Sequence, residues 1–253
     1  MYANSIDIAG SVKKFKSLNS FLKECTSIYA SGSTSSGIYP IWLKERFQFT
    51  YVYCDMDLVS TKKGWTTIQK RMNGEVNFNR GWDDYVRGFG NPRGEYWVGL
   101  ENIYRLSRQT TTPIEGGKTS IKVPKLGIYL EDWDGFKAFT EYRVFSYWPK
   151  TAKYYLHVYG RNGSDCFSTA PILRSEFSTP DVDNTEEYHS HCDQNFKSGW
   201  WFRWCGDTNL NGPYPKNKQE MSSNNIVWFG WGCFNSKGTA LRYVSMNFYH
   251  SKH

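Results

Sequence analysis

Histidine is scarce in this sequence, with five in 253 residues, at 157, 189, 191, 250 and 253. Nucleophilic catalysis needs a base within reach of an activated serine or cysteine. No G-x-S-x-G elbow accompanies those histidines. The six cysteines, at 25, 54, 166, 192, 205 and 233, include no C-x-x-C pair, which excludes zinc-ribbon and thioredoxin spacings. GGKTS at 116–120 is no phosphate loop, because Thr112 stands where the first glycine belongs. No apolar run is long enough to span a bilayer. MYANSIDIAG lacks the basic start and apolar core of a secretory leader. These absences favour a protein that is not an enzyme and does not insert into a membrane.

What is abundant is aromatic. Aromatics make up 18% of the sequence, with 11 Trp and 18 Tyr beside 22 Gly, and the mean hydropathy is −0.64. Such residues bury much area yet carry a polar handle, so they suit aromatic cores and contact surfaces. The length fits one large domain or two small ones. The net charge of +7 raises the question of nucleic acid. The basic residues are scattered, however, and the one tight run is Lys13, Lys14 and Lys16, so no nucleic-acid partner is expected. An even number of widely spaced cysteines favours disulfides and an oxidising compartment. The expectation is therefore an extracellular, secreted protein whose first residue lies inside a longer polypeptide.

Residues 1–20 read as a leader or linker without heptad or G-x-y repeats, and 21–253 as one domain. Any oligomer would be built by sequence upstream. YASGSTSSGIY (29–39) reads as turn-rich. FQFTYVYCDM (47–56) and GWTTIQKR (64–71) alternate like strands, and Asn73-Gly74 is a hairpin-turn signal. Asn79 is placed to cap a short helix through WDDYVRGFG that ends at Gly88 or Gly90. EYWVGL (95–100) reads as a strand, 101–108 as a short helix and 109–125 as an exposed loop. Residues 128–133 and 154–160 are further strands, and mostly loop follows residue 161. The class is α+β, with a central antiparallel sheet, short helices and a loop-rich C-terminal third.

One acidic stretch invites chemistry. FSTPDVDNTEEYHSHC (177–192) reads as a metal loop, a catalytic acid cluster or a solvated turn. Asn162-Gly163-Ser164 is a glycosylation sequon placed in an expected turn, as in a secreted glycoprotein.

GWTTIQKR, NGEVNFNRGWDDYVRGFG, GEYWVGLENIYRL, LEDWDG, FSTPDVDN and GWWFRWCGDTNLNGPY occur in the order found in fibrinogen-like (fibrinogen C-terminal) domains. The sequence resembles that family over roughly residues 21–249. The family includes lectins such as ficolins and tachylectins, signalling ligands such as angiopoietins, and matrix proteins such as tenascins. The resemblance implies disulfides Cys25–Cys54 and Cys192–Cys205. Bridges closing loops of those sizes stabilise by about 3.6 and 3.0 kcal/mol respectively in chain-entropy arithmetic. Parity then predicts a third bridge between Cys166 and Cys233.

In the family, the segment matching DVDNTEEYHSHC is a calcium loop built on hard oxygen ligands. Asp183 matches a ligand, Thr185 stands where another carboxylate is usual, and Glu186 or Glu187 is placed to substitute for it. Next to the loop, lectin-type relatives carry an acetyl-group pocket. Its matching residues here are His191, Cys192, Trp201, Phe202, Asp207, Thr208 and Asn209. A core role for Trp200 and Trp201, with Asn209 and Asn211 satisfying loop backbone, is the structural alternative. Gly206 replaces the histidine usual in lectin-type members, and Thr239 the pocket tyrosine, so CGDTNLNG is nearer the angiopoietin-like form. The resemblance implies a recognition module, with two alternatives. One is a lectin for acetylated sugars or related surface ligands in innate defence, supported by Ca²⁺. The other is an angiopoietin-like or matrix-type protein that binds a cell-surface receptor through its C-terminal third.

Overall fold

The computed structural model describes residues 22–113, 119–163, 174–185, 197–202, 208–218, 225–228 and 239–250. The expected leader at 1–20 lies outside them. In sequence order the elements are helix α1 (Cys25–Ala30), strands β1 (Gly37–Leu43), β2 (Gln48–Asp55) and β3 (Trp65–Arg71), and helix α2 (Trp82–Arg87). Strands β4 (Phe89–Gly90) and β5 (Tyr96–Trp97), helix α3 (Leu100–Arg108) and strands β6 (Thr111–Pro113) and β7 (Thr119–Ile121) follow. Then come β8 (Lys125–Asp132), β9 (Lys137–Tyr147), β10 (Leu156–Gly163), β11 (Arg174–Ser175), β12 (Thr208–Asn209), β13 (Val227–Trp228) and β14 (Thr239–Tyr249).

The main sheet runs β1-β2-β3-β14-β8-β9-β10-β11, with every pairing antiparallel. The last strand in sequence thus lies at the centre, between β3 and β8. Val244, Met246 and Phe248 of β14 pair with Leu130, Ile128 and Leu126 of β8, and all six are buried. The other face of β14 is also closed, since Ser245 and Asn247 are buried. Asn247 accepts from the Thr67 hydroxyl at 2.8 Å and donates to Ser245 Oγ at 3.0 Å. The expectation of mostly loop after residue 161 is thus corrected at β14, where Val244 to Phe248 alternate apolar and polar side chains and both faces are covered.

Cys25 and Cys54 form the expected disulfide, tying α1 to β2. Other expectations shift. The 95–100 strand shortens to Tyr96–Trp97, and the exposed loop at 109–125 contains the β6–β7 hairpin. The turn-rich 29–39 segment ends in β1. Gly88 ends α2 at φ +92, as expected, but Asn79 does not cap it. The N-cap is Gly81, and the N–H of Trp82 donates to Asp181 Oδ1 at 2.9 Å. Asn162 lies in β10, paired with Glu141, rather than in a turn.

Asn73-Gly74 makes a turn, with Gly74 at φ +74, but it does not join two paired strands. Glu95 shapes it instead. Oε1 accepts the N–H groups of Met72, Asn73 and Gly74 at 2.9, 3.2 and 3.0 Å, and Oε2 that of Val76 at 3.0 Å. Arg71 pairs with the same carboxylate at 3.4 Å and donates to the Gly212 carbonyl at 2.8 Å. Its guanidinium stacks 3.8 Å from the Phe78 ring centroid.

Candidate functional site

The C-terminal third rests on an aromatic foundation. Ser178 and Trp200 exchange backbone hydrogen bonds of 3.0 Å in both directions, and the Phe177 N–H donates to the Lys153 carbonyl at 3.0 Å. Phe177 meets Trp201 edge-on at 4.9 Å and lies 5.2 Å from Tyr85. Trp200 and Trp201 cross at 5.3 Å. The Trp201 indole N–H donates to the Tyr154 carbonyl at 2.9 Å. A side chain at Gly199 would sit 2.7 Å from Tyr85 and 2.8 Å from Phe177, so only glycine lets these rings close over the backbone. Burial raises the Tyr85 and Tyr154 phenols well above their ordinary value, helped at Tyr154 by its hydrogen bond to Glu101. Both hydroxyls therefore stay protonated as donors, Tyr85 to the Phe78 carbonyl at 2.7 Å and Tyr154 to Glu101 at 2.9 Å.

A buried amide network holds the next loop. Gln69 of β3 donates to the Leu210 carbonyl at 2.8 Å and to Asn211 Oδ1 at 3.1 Å. Asn211 Nδ2 donates to the Gly199 carbonyl at 2.9 Å. Asn209 Oδ1 accepts the Asn211 N–H at 3.2 Å, and its Nδ2 donates to Ser198 Oγ at 2.9 Å. These amides replace the regular ladder that a loop buried against a sheet cannot form.

Of the residues matched to the acetyl pocket, Trp201 is 2% exposed and Phe202 3%, and the Phe202 carbonyl accepts from Ser175 Oγ at 2.6 Å. Thr208 and Asn209 are buried in β12, and the Thr208 hydroxyl has no hydrogen-bond partner among the described residues. All four are buried. His191, Cys192 and Asp207 lie outside the described residues, as do Cys205, Cys166 and Cys233 with the two further bridges.

The acidic stretch is described through residue 185. Thr179 and Val182 close a tight turn with backbone bonds of 2.9 and 3.0 Å. Asp181 Oδ1 accepts from Thr179 Oγ1 at 2.7 Å and from the first N–H of α2. Asp183 Oδ1 accepts both the N–H of Thr185 at 2.8 Å and its hydroxyl at 2.6 Å. In a calcium cage these oxygens would turn their lone pairs toward the ion. Here the Thr185 hydroxyl is a donor to Asp183, so the two described residues of the expected metal set share one turn, and alone they supply fewer oxygens than the roughly six to eight a calcium ion takes. Glu187 lies outside the described residues. Among the described residues, no group of three or more His, Cys, Asp or Glu side chains gathers around one point. Sequence reasoning missed Asp181, Arg71 and Glu95, whose roles depend on partners distant in sequence or hidden by folding.

A central antiparallel sheet closed by the C-terminal strand, one disulfide from the first helix and a Trp-rich loop region seated on that sheet define the class. The family model for the fibrinogen beta and gamma chains' globular domain at the C-terminus matches residues 21–250, and the protein belongs to that family. It is 35% identical over 245 residues to Angiopoietin-2 of Rattus norvegicus, covering 96% of this sequence and 46% of the relative. It thus spans about half the length of such relatives. The solved fibrinogen-like globe domain of human ANGPTL2 superposes with a TM-score of 0.77 at 31% identity, covering 90% of this protein and 98% of that domain. A lamprey fibrin D-dimer, solved with the peptide Gly-His-Arg-Pro-amide, superposes with a TM-score of 0.72 at 26% identity, covering 98% of this protein and 80% of the fibrin polypeptide.

Proposed function

We propose that this protein is a secreted, non-enzymatic recognition domain that binds a cell-surface protein receptor through its C-terminal third. The observation that carries this reading is the burial of Trp201 and Phe202. They serve as foundation under the loop region, where an acetyl-binding site would need an aromatic wall open to ligand. The angiopoietin and ANGPTL relatives, with Gly206 and Thr239 in the sequence, favour the same side of the two alternatives. The acetylated-sugar reading in innate defence gains no such support. It would use His191, Cys192, Trp201, Phe202, Asp207, Thr208 and Asn209, with calcium at Asp183, Thr185 and Glu187.

The test uses two surfaces. The oxidised domain, dimerised to raise avidity, is passed over receptor ectodomains by surface plasmon resonance and over N-acetylglucosamine resin in millimolar calcium or EDTA. Saturable binding to an ectodomain, with no sugar-competable retention on resin, is the expected result. Retention that free N-acetylglucosamine competes away, and that EDTA abolishes, would replace the receptor reading with the calcium-dependent lectin.

A further inference from the structure

Away from the loops over Trp201 and Phe202, a cleft of about 520 Å³ opens where the β8–β9 turn meets residues 72–74 and 214–216. Its aromatic walls are held rigidly. Tyr214 lies edge-on to Trp133 at 6.3 Å. The Tyr214 hydroxyl sits 2.7 Å from the Arg242 carbonyl and 2.9 Å from that of Met72. A side chain at Gly74 would approach the Tyr214 ring to 3.0 Å, so the glycine makes room for it. Trp133 rides on a turn closed by Asp132, whose Oδ1 accepts the N–H groups of Asp134 and Phe136, both at 2.9 Å.

The polar groups around these rings are donors. Asn73 Oδ1 is occupied by the Glu75 N–H at 3.3 Å, which leaves the amide N–H₂ as its available end. Arg242 is half-exposed, and its carboxylate neighbour Glu131 comes no nearer than 3.9 Å. Lys216 lines the same cleft, and among the described lining residues none is acidic.

Flat aromatic surface beside fixed donors and positive charge complements a ligand with C–H faces, many acceptor oxygens and negative charge. We propose that this cleft binds an acidic saccharide, of the uronate or sulfated-sugar class. The volume falls within the range of small-ligand sites, roughly 300–1,000 Å³. A lone carboxylate of a partner protein would need neither that volume nor two aromatic walls. The cleft includes none of Trp201, Phe202, Thr208 and Asn209, and the saccharide titration is read without a receptor, so either reading can fail without the other.

The experiment is calorimetric titration of the domain with a sulfated, uronate-containing heparin disaccharide. Lactose serves as neutral control and a short glutamate peptide as acidic control. The variant is Lys216→Gln with Arg242→Gln, both on exposed side chains, with near-UV circular dichroism to confirm the native fold. The disaccharide is expected to bind at millimolar concentration or below, lactose and peptide not to, and the double variant to weaken binding by about tenfold or more. Absence of disaccharide binding, equal binding of lactose, or an unchanged double variant would overturn the proposal. Equal binding of the glutamate peptide would overturn it in favour of an acidic protein partner.

Discussion

Arg71 and Glu95 show what a single buried pair does for this domain. Both side chains are essentially inaccessible, and between them they fasten the 72–76 turn, the Gly212 carbonyl and the Phe78 ring. Burial alone would raise the Glu95 carboxyl, but Arg71 and the N–H groups of Met72, Val76 and Gly74 outweigh it and hold it below the ordinary value. A depressed carboxylate contributes stability above its unfolded value, near about 4.3, and loses it as pH falls through the lower folded value. Glu95→Gln leaves the Arg71 charge buried and unpaired, so urea unfolding at pH 7 should show a loss of about 3–5 kcal/mol. The difference between the two proteins should shrink in acid. A constant difference down to pH 2 would remove the carboxylate from that account. Asp181 acts more locally, and Asp181→Ala should cost about 0.5–2 kcal/mol through the lost helix-terminus bond, measured the same way.

At the scale of elements, α1 is a helix of six residues, too short to persist unaided, and its tie to β2 is covalent. Replacing both Cys25 and Cys54 with serine should lower unfolding free energy by about 3.6 kcal/mol, read as a shift in denaturant midpoint. Strand β8 carries a different constraint. A methyl group at Gly127 would sit 2.6 Å from the Trp65 ring and 2.9 Å from Phe139. Gly127→Ala should therefore destabilise by about 1–3 kcal/mol through overpacking. A thermal melt indistinguishable from the parent would show that these rings can part at little cost.

For the whole molecule, the pairing of all six cysteines decides how the loop region is stapled. Intact mass after alkylation without reduction should show no modified thiol, in keeping with the Cys192–Cys205 bridge the family implies and the Cys166–Cys233 bridge inferred from parity. Two alkylated thiols would remove the third bridge and leave the resemblance to the family untouched. The receptor and saccharide experiments use separate ligands, so together they ask whether the domain recognises one partner or two.

The order of the Trp- and Gly-rich motifs was enough to read the family, and that resemblance in turn implied the Cys25–Cys54 pairing, while the antiparallel α+β class followed from patterns written along the sequence. Strands with one open face, such as β2, were legible for the same reason. Strand β14 was missed although Val244 to Phe248 alternate apolar and polar residues, and only the fold shows that Ser245 and Asn247 are buried as well. The partners of Lys70 and Arg71, namely Pro92, Tyr53 and Glu95, come from elsewhere in the sequence and are set by the fold. The acidic stretch could be read as ligand, catalyst or turn. The role of Asp181 came from a helix 99 residues away, and the partner of Asp183 within the turn is Thr185. The aromatic cleft joins residues 73, 133, 214 and 242, which no periodicity connects. Local pattern is a property of neighbours in sequence, whereas burial, capping and convergence are set by neighbours in space.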